Sequence, residues 1–307
     1  MTDHVNIVEV GARDGLQNES RAISLEQRRQ LILRLMQTGL QHIEVGACVS
    51  PKWVPKMASS AELFASLPSV PEIDLSLLTP NLQGYEAAKA AGCQEVAIFT
   101  AASESFTRKN INCSIAESFS KFAPLCEAAK ADNIKVRGYV SCVVDCPYEG
   151  AIEPAKVIEV TRRLFDLGCY EVSLGETIGS ATPNRVQALW QACQTEFDML
   201  HLAGHFHNTY GMAIANIYAS LDYGVRTFDA SIAGLGGCPY AKGAAGNVAT
   251  EDLFYLLRGL GLDTGIDVEA LMVASRYIST VLKKPPESYF AKAYWRQCES
   301  SGDDQGV

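Results

Sequence analysis

The feature that most constrains the fold of this chain is the regular alternation of β-like and helix-like runs along its whole length. Eight strands are predicted, at Val5–Val10, His42–Val45, Ile73–Leu78, Glu95–Phe99, Lys135–Ser141, Tyr170–Leu174, Leu202–His207 and Thr227–Ser231. A helix-like run separates each strand from the next, and the first such helix is opened by the capping pair Ser24 and Gln27. Regular alternation of this kind predicts parallel strands with helices outside.

Four glycines mark a weak internal repeat within this alternation. Each ends a predicted helix, and a strand that carries an acidic residue begins shortly after it; they are Gly39, Gly92, Gly168 and Gly224. Glycine suits this position because it adopts the left-handed backbone conformation that ends a helix. No proline-rich or serine-rich linker interrupts the pattern, so we expect a single barrel.

The predicted fold class is α/β, as a (β/α)8 TIM barrel. The catalytic barrel with its closing helices is expected over residues 1–283, and a helical C-terminal extension over residues 284–307. The last residues, Ser300–Val307, are polar and contain glycine, so we expect them to be disordered. An open doubly wound sheet is the rival fold, but no G-x-G-x-x-G follows the first strand.

Composition narrows the partners and the location of the chain. The formal net charge of −9 disfavours nucleic acid, because duplex binding usually needs a basic face. Ten cysteines without a C-x-x-C pair indicate mostly buried thiols in a reducing, cytoplasmic compartment. No stretch approaches the roughly 18 consecutive apolar residues of a spanning helix, so no membrane partner is expected.

Polar residues gather where the predicted strands end, and chemistry in such barrels lies at the carboxyl ends of the strands. They are Arg13 and Asp14 after the first strand, Glu44 at the end of the second, Glu176 after the sixth, His205 and His207 at the end of the seventh, and Asn247 in the loop after the eighth. A barrel would bring these distant positions to one mouth.

The two histidines favour a metal site at that mouth. Side chains two residues apart on a strand face the same way, so His205 and His207 can bind one divalent cation. Two ordinary polar residues at a strand end are the alternative interpretation. Asp14 can add a carboxylate and Asn247 a carbonyl oxygen, and this donor set suits Mg²⁺ or Mn²⁺. Zn²⁺ stays open if Cys238 is a ligand.

Three further residues suggest how charge and protons are handled there. A guanidinium at Arg13 can stabilise an enolate or carboxylate oxygen, with a solvated turn as the alternative. Glu44 is the obvious partner of Arg13, with a purely structural salt bridge as the alternative. Cys238 lies in a glycine-rich segment where we expect a mobile lid, and Lys242 in the same segment can lower the pKa of the thiol.

A basic pair precedes the predicted helix that starts near Ser114. Arg108 and Lys109, followed by Asn110, would make an anion site at the N-terminus of that helix. A solvated charge pair is the other interpretation and, for these residues taken alone, the more common one.

Several longer motifs resemble those of the 3-hydroxy-3-methylglutaryl-CoA lyase family, among the divalent-metal lyases and synthases built on (β/α)8 barrels. The similarity runs from about Val5 to Leu282. Its motifs are EVGARDGLQNE at 9–19, VSPKWVP at 49–55, KNINCSI at 109–115, RGYVSC at 137–142, HFHNTYG at 205–211 and AGLGGCPYAKG at 233–243. The last resembles the lyase signature loop, which the condensing synthases generally lack.

The resemblance implies a role for each matching residue. Mg²⁺ or Mn²⁺ would be bound by Asp14, His205, His207 and Asn247. Catalysis would involve Arg13 on the enolate, Cys238 and His205 in proton transfer, Glu44 holding Arg13, and Glu176. Coenzyme A would meet Lys109, Asn110 and Ser114, and the substrate would also contact Gln17 and Ser173.

The activity implied is the retro-Claisen cleavage of 3-hydroxy-3-methylglutaryl-CoA to acetyl-CoA and acetoacetate, as in leucine degradation and ketone-body formation. The expected partners are this acyl-CoA and, as one option, a second copy of the chain in a homodimer. The alternatives are a lyase for a related branched 3-hydroxyacyl-CoA, a Claisen-condensing acyltransferase and a non-catalytic metal- or CoA-binding barrel. Departures from the family pattern leave the acyl substituent open; they are Ala12, Ala47, Thr100, Glu176 and Asn208.

Overall fold

A computed structural model describes residues 3–237 and 246–301, and a barrel of eight parallel strands lies at its centre. The strands are β1 Asn6–Glu9, β2 His42–Ala47, β3 Asp74–Leu78, β4 Glu95–Ala101, β5 Lys135–Ser141, β6 Glu171–Glu176, β7 Leu202–Phe206 and β8 Thr227–Ala230. Neighbours in the chain are neighbours in the sheet, and β8 pairs with β1 to close it. The predicted TIM barrel is confirmed.

Helices surround the barrel. They are α1 Leu25–Leu35, α2 Ser60–Ala65, α3 Leu82–Ala90, α4 Glu104–Ile111, α5 Ile115–Asp132, α6 Pro154–Asp166, α7 Pro183–Cys193, α8 Ala213–Leu221, α9 Thr250–Gly259, α10 Val268–Leu282 and α11 Tyr289–Ser301. Single turns occur at Gly11–Gly15, Leu16–Asn18, Pro55–Met57, Met199–His201 and Ile232–Gly234. The predicted capping pair opens α1, because Ser24 and Gln27 each accept a hydrogen bond from the other's amide.

Three elements differ from the sequence-based expectation. The segment before Ser114 contains α4, whose first turn is capped by the Ser103 hydroxyl accepting from the Phe106 amide. A short antiparallel hairpin, Asp145–Cys146 with Gly150–Ala151, follows β5. In the C-terminal extension, α11 continues to Ser301, and the rest of the predicted disordered tail lies outside the described residues.

The inside of the barrel is polar. Register pairs Arg137 with Glu171 and His205 with Asp229, so these side chains share one side of the sheet. Arg137, Glu171 and Asp229 are buried and joined by hydrogen bonds. Phe206 lies on the other side of the sheet and belongs to the hydrophobic core. Buried charges need partners, and here those partners come from other strands.

The four glycines of the weak internal repeat all have positive φ, as their role at helix ends requires. A Cβ built on Gly39 would overlap the carbonyl oxygen of Gly265, in the connection between α9 and α10. A Cβ built on Gly92 would meet nothing within 4 Å. A side chain at Gly92 would therefore cause backbone strain alone, whereas a side chain at Gly39 would cause backbone strain and a steric clash.

Of the nine cysteines in the described part, all but Cys48 and Cys298 are buried. This agrees with the prediction of mostly buried thiols. Across residues 3–237 and 246–301, no helix combines the length and the apolar character that crossing a bilayer would need.

We expect Gly39→Ala to lower the free energy of unfolding by about 3 kcal/mol, and Gly92→Ala by about 1 kcal/mol. Both changes place a Cβ on a left-handed residue, but only the first drives that Cβ into a backbone carbonyl. Urea denaturation of both variants and the parent measures the difference. Equal losses would show that the contact with Gly265 adds no strain.

Candidate active site

Arg13 and Glu44 form a buried ion pair at the carboxyl end of the barrel. Arg13 lies in the π-helical turn Gly11–Gly15 that follows β1, and Glu44 lies fully buried in β2. Arg13 Nε donates to Glu44 Oε2 at 2.5 Å. Burial alone would lower the pKa of Arg13, but Glu44 and Asp14 hold it above its usual range. The predicted pairing is present, and the catalytic roles of the two residues remain predictions.

Asp14 links that ion pair to Asn247. Its carboxylate accepts from Arg13 Nη1 at 2.7 Å and from Asn247 Nδ2 at 2.9 Å. Asn247 reaches this position because it pairs in an isolated β-bridge with His207, just beyond β7. Burial alone would raise the pKa of Asp14, but Arg13 and the nearby histidines hold it below its usual value. The carboxylate is therefore ionised.

Asp14, His205 and His207 converge at one point. Each offers one ligand atom, and the three atoms lie within 4.8 Å of one another. The two imidazole centroids are 5.3 Å apart, and both rings are buried. Burial, aided by the charge of His205, lowers the pKa of His207 to about 4. Its ring is therefore neutral at pH 7, as a metal ligand must be.

Asp229 fixes the orientation of His205. Its Oδ2 lies 3.0 Å from His205 Nδ1 and accepts from the Ser173 hydroxyl at 2.7 Å, while its Oδ1 accepts from Arg137 Nη2 at 2.8 Å. Burial alone would raise the pKa of Asp229, but Arg137 and His205 hold it well below its usual range. A carboxylate on Nδ1 leaves Nε2 of the same ring available to a ligand.

Three residues of the interior have no role predicted from the sequence: Arg137, Tyr139 and Asp229. Tyr139 lies between the two arginines of the interior, with its ring centroid 5.5 Å from the guanidinium carbon of Arg13 and 5.0 Å from that of Arg137. Its hydroxyl accepts from Arg137 Nη1 at 2.8 Å. The signal that could have found Arg137 and Tyr139 is the period-two spacing of polar side chains on β5, at Arg137, Tyr139 and Ser141.

Two buried atoms of the predicted metal ligands have no hydrogen-bond partner among the described residues. They are Nδ1 of His207 and Oδ1 of Asn247. Buried polar atoms are normally satisfied, and both of these carry lone pairs of the kind that bind metal ions. With the Asp14 carboxylate and Nε2 of His205 they offer two nitrogen and two oxygen donors. The residues present therefore fit a divalent cation.

Glu176 is fully buried at the end of β6, and burial raises the pKa of its carboxyl to about 7. Its Oε1 accepts from the Ser180 amide at 3.1 Å, in the connection to α7. Register pairs Glu176 with Phe206, so strand alternation puts it on the opposite side of the sheet from His205. The carboxyl lies among backbone amides, and its catalytic role remains a prediction.

The predicted anion site before Ser114 has a different geometry. Lys109 lies in the last turn of α4 and Asn110 in the same helix, so neither precedes a helix N-terminus as a loop residue. Lys109 Nζ lies 3.8 Å from the centroid of the Tyr148 ring, and the Ser114 hydroxyl caps α5. The Ser103 cap causes the difference, because it starts a helix where a loop is expected. The contact of Lys109, Asn110 and Ser114 with coenzyme A remains a prediction.

The remaining site predictions fall in different places. Gln17 is half-buried in the single turn Leu16–Asn18, immediately after the turn that carries Arg13. Ser173 is fully buried and bonded to Asp229. Cys238 and Lys242 lie outside the described residues. Substrate contact by Gln17 and Ser173, and proton transfer by Cys238, remain predictions.

Known proteins are similar in sequence to this chain over most of its length. The family model described as HMGL-like matches residues 4–278. A Pseudomonas mevalonii protein named hydroxymethylglutaryl-CoA lyase is 57% identical over 278 residues, which cover 91% of this chain and 92% of that protein. A Pseudomonas aeruginosa protein named 3-hydroxy-3-isohexenylglutaryl-CoA/hydroxy-methylglutaryl-CoA lyase is 54% identical over 289 residues, covering 94% and 96%.

A solved structure shares the fold as well. The crystal structure of hydroxymethylglutaryl-CoA lyase from Pseudomonas aeruginosa matches with a TM-score of 0.94 at 52% identity, covering 97% of this chain and 99% of that one. The family model extends through the barrel and both histidines of the site. The chain therefore belongs to the HMGL-like family, as a relative of its hydroxymethylglutaryl-CoA lyases.

Proposed function

We propose that this protein cleaves 3-hydroxy-3-methylglutaryl-CoA to acetyl-CoA and acetoacetate by a metal-dependent retro-Claisen reaction. As a member of the hydroxymethylglutaryl-CoA lyase family, the chain is a carbon–carbon lyase. The observation that supports the mechanism most strongly is the convergence of an arginine, a carboxylate and two histidines at one end of the barrel, through Arg13, Asp14, His205 and His207.

Mg²⁺ or Mn²⁺ is the proposed cofactor, held by Asp14, His205, His207 and Asn247. Carboxylate and carbonyl oxygens with imidazole nitrogens suit either ion, and two of these donors have no partner among the described residues. Such a cation supplies Lewis acidity to the oxygens of the substrate.

Arg13 stabilises the enolate. When the bond between C2 and C3 of the substrate breaks, it leaves a ketone and a thioester enolate whose oxygen gains negative charge. Arg13 donates through Nε to Glu44 and through Nη1 to Asp14, which holds the guanidinium from two sides. Its two Nη2 hydrogens and the second Nη1 hydrogen are the donors left for the substrate. Because the guanidinium is held before the charge develops, little reorganisation accompanies the reaction.

Two proton transfers complete the reaction, since the substrate hydroxyl must lose a proton and the enolate carbon must gain one. We assign the protonation of carbon to Cys238, as the family resemblance implies. For the hydroxyl, the sequence predicts His205 and Glu176. Nδ1 of His205 lies against Asp229 and its Nε2 would hold the metal, while Glu176 lies on the opposite side of the sheet, so neither side chain as placed accepts that proton.

A longer acyl branch is the second candidate substrate. One relative is named for 3-hydroxy-3-isohexenylglutaryl-CoA as well as for the methyl compound. In this chain Ala47, at the end of β2, stands where the family commonly has serine, and a smaller side chain leaves more room. A condensing acyltransferase receives less support, because these relatives are named as lyases.

The remaining proposals concern binding and setting. We place the coenzyme A moiety near Lys109, Asn110 and Ser114, on the basis of the family resemblance. A cytoplasmic location, a homodimer and a part in leucine degradation or ketone-body formation stay predictions from the sequence.

A panel of 3-hydroxyacyl-CoA thioesters tests the proposed activity. Purified protein with Mg²⁺ or Mn²⁺ and a thiol reductant should release acetyl-CoA fastest, by kcat/KM, from the methylglutaryl compound. A preference for the isohexenylglutaryl compound would select the second candidate. Inactivity on the whole panel would contradict the lyase assignment, and condensation of acetyl-CoA with a 2-oxo acid would favour the acyltransferase.

Arg13→Lys should lower kcat by about 10²- to 10³-fold, with little change in metal affinity. A lysine ammonium cannot bind both carboxylates and still present a planar donor pair to the enolate. Steady-state kinetics, with metal titration of each variant, checks both expectations. Arg162→Lys, in an exposed pair with Glu196, is the control and should behave as the parent. Unchanged turnover in Arg13→Lys would remove the enolate role.

Asp229→Asn should weaken metal affinity by about 10- to 100-fold, because the carboxylate that orients His205 is lost. The metal concentration that gives half-maximal activity, together with direct Mn²⁺ binding, measures the effect. Asp263→Asn is the matched control, since Asp263 makes an exposed contact with His4 at 3.3 Å. If the two variants bind metal equally well, Asp229 does not position the ligand.

A further inference from the structure

The amino ends of the barrel strands carry a second group of potential metal ligands, at the rim opposite the proposed active site. His42, Asp74 and Glu95 are the first residues of β2, β3 and β4. One ligand atom of each lies within 4.8 Å of the other two, and His42 Nδ1 is 3.8 Å from Asp74 Oδ2. An imidazole and two carboxylates from three adjacent strands therefore converge.

The carboxylate of Glu95 gives a second, independent indication of a cation site at the amino ends of these strands. The residue is only 5% exposed, and its Oε1 accepts from the Tyr170 hydroxyl at 3.0 Å. Its Oε2 is buried and has no hydrogen-bond partner among the described residues. Burial raises the pKa of this carboxyl to about 7. A buried carboxylate oxygen without a donor is costly unless a cation or a proton satisfies it.

Two cations, Arg137 and Lys135, act on the carboxylates at this rim, but among the described residues neither forms an ion pair with Glu95. Arg137, the buried arginine nearby, is engaged by two other carboxylates. Lys135 lies 3.1 Å from Asp74 Oδ2, but its side chain is 57% exposed. An exposed ion pair of this kind is weak, and the lysine side chain is free to turn into solvent. Asp74 therefore pairs with one solvent-exposed ammonium, and Glu95 lies in the field of Arg137 and Lys135 without a hydrogen bond from either.

We propose that His42, Asp74 and Glu95 bind a divalent transition-metal cation through one imidazole nitrogen and two carboxylate oxygens. Ligands at about 2.1 Å in a tetrahedral site lie roughly 3.4 Å apart. The observed 3.8 Å between the His42 and Asp74 atoms and the limit of 4.8 Å to the Glu95 atom are longer than that spacing, so side-chain rotations must bring the three atoms together. Such a cation ties the starts of three strands together, away from the site of catalysis, and its role is structural.

Mn²⁺ alone is the probe, because it prefers oxygen and imidazole ligands and leaves the thiols of the chain aside. The electron paramagnetic resonance signal of the free ion, at about pH 8 where the ligands are deprotonated, reports binding. The full chain carrying His207→Ala, which disables the proposed catalytic metal site, should still bind one equivalent. Adding His42→Ala or Glu95→Gln should weaken that binding by about tenfold or more.

Two further variants make the test specific. His4→Ala, which removes an exposed histidine beside Asp263, should leave Mn²⁺ binding unchanged in the same background. Lys135→Ala should strengthen binding, because the competing ammonium is gone. The proposal is overturned if the His207→Ala protein binds no Mn²⁺, or if His42→Ala and Glu95→Gln both leave binding unaltered. Lyase turnover should be unaffected by His42→Ala, so the outcome is distinguishable from that of the proposed activity.

Discussion

The ion pair between Arg137 and Asp229, inside the barrel, is the interaction on which the candidate site depends. Asp229 orients His205, and Arg137 holds Asp229 while also binding Glu171 and Tyr139. Without the arginine, a buried carboxylate would lose its main counter-charge, and breaking a buried pair in this way typically costs about 3 to 5 kcal/mol. The orientation of the His205 imidazole at the mouth thus depends on the contact between Arg137 and Asp229 inside the barrel.

The barrel separates the source of its stability from the source of its chemistry. Many barrels of this type fill their interior with branched apolar side chains. Here the inward side carries Arg137, Ser173 and Asp229, whereas the outward side carries residues such as Phe206 and Phe228 that join the hydrophobic core. Apolar burial between strands and helices offsets the cost of dehydrating the inner charges. The barrel can therefore keep charged and polar side chains inside that serve the chemistry of the site and not the packing of the core.

Much of the fold could be predicted because local signals and global architecture agree. The strand Lys135–Ser141 and the helix Thr250–Gly259 have the bounds that the sequence indicates. The helix Glu104–Ile111 is harder to predict from the sequence, because its main signal is one capping serine rather than a clear apolar period. In the site, the sequence indicates Arg13, Asp14 and the histidines because they lie at strand ends. It cannot indicate Asp229 as the partner of His205, because only the register of β7 with β8 places the two side by side.

Closure of the sheet has a consequence for how copies of this chain meet one another. Hydrogen bonds between β1 and β8 use the backbone amides and carbonyls that an open sheet would leave at its two borders. Such borders are templates on which a second chain can add its own strand, an early step in aggregation. A ring of strands offers no such template, so the barrel itself gives a second copy no border to which a strand can be added.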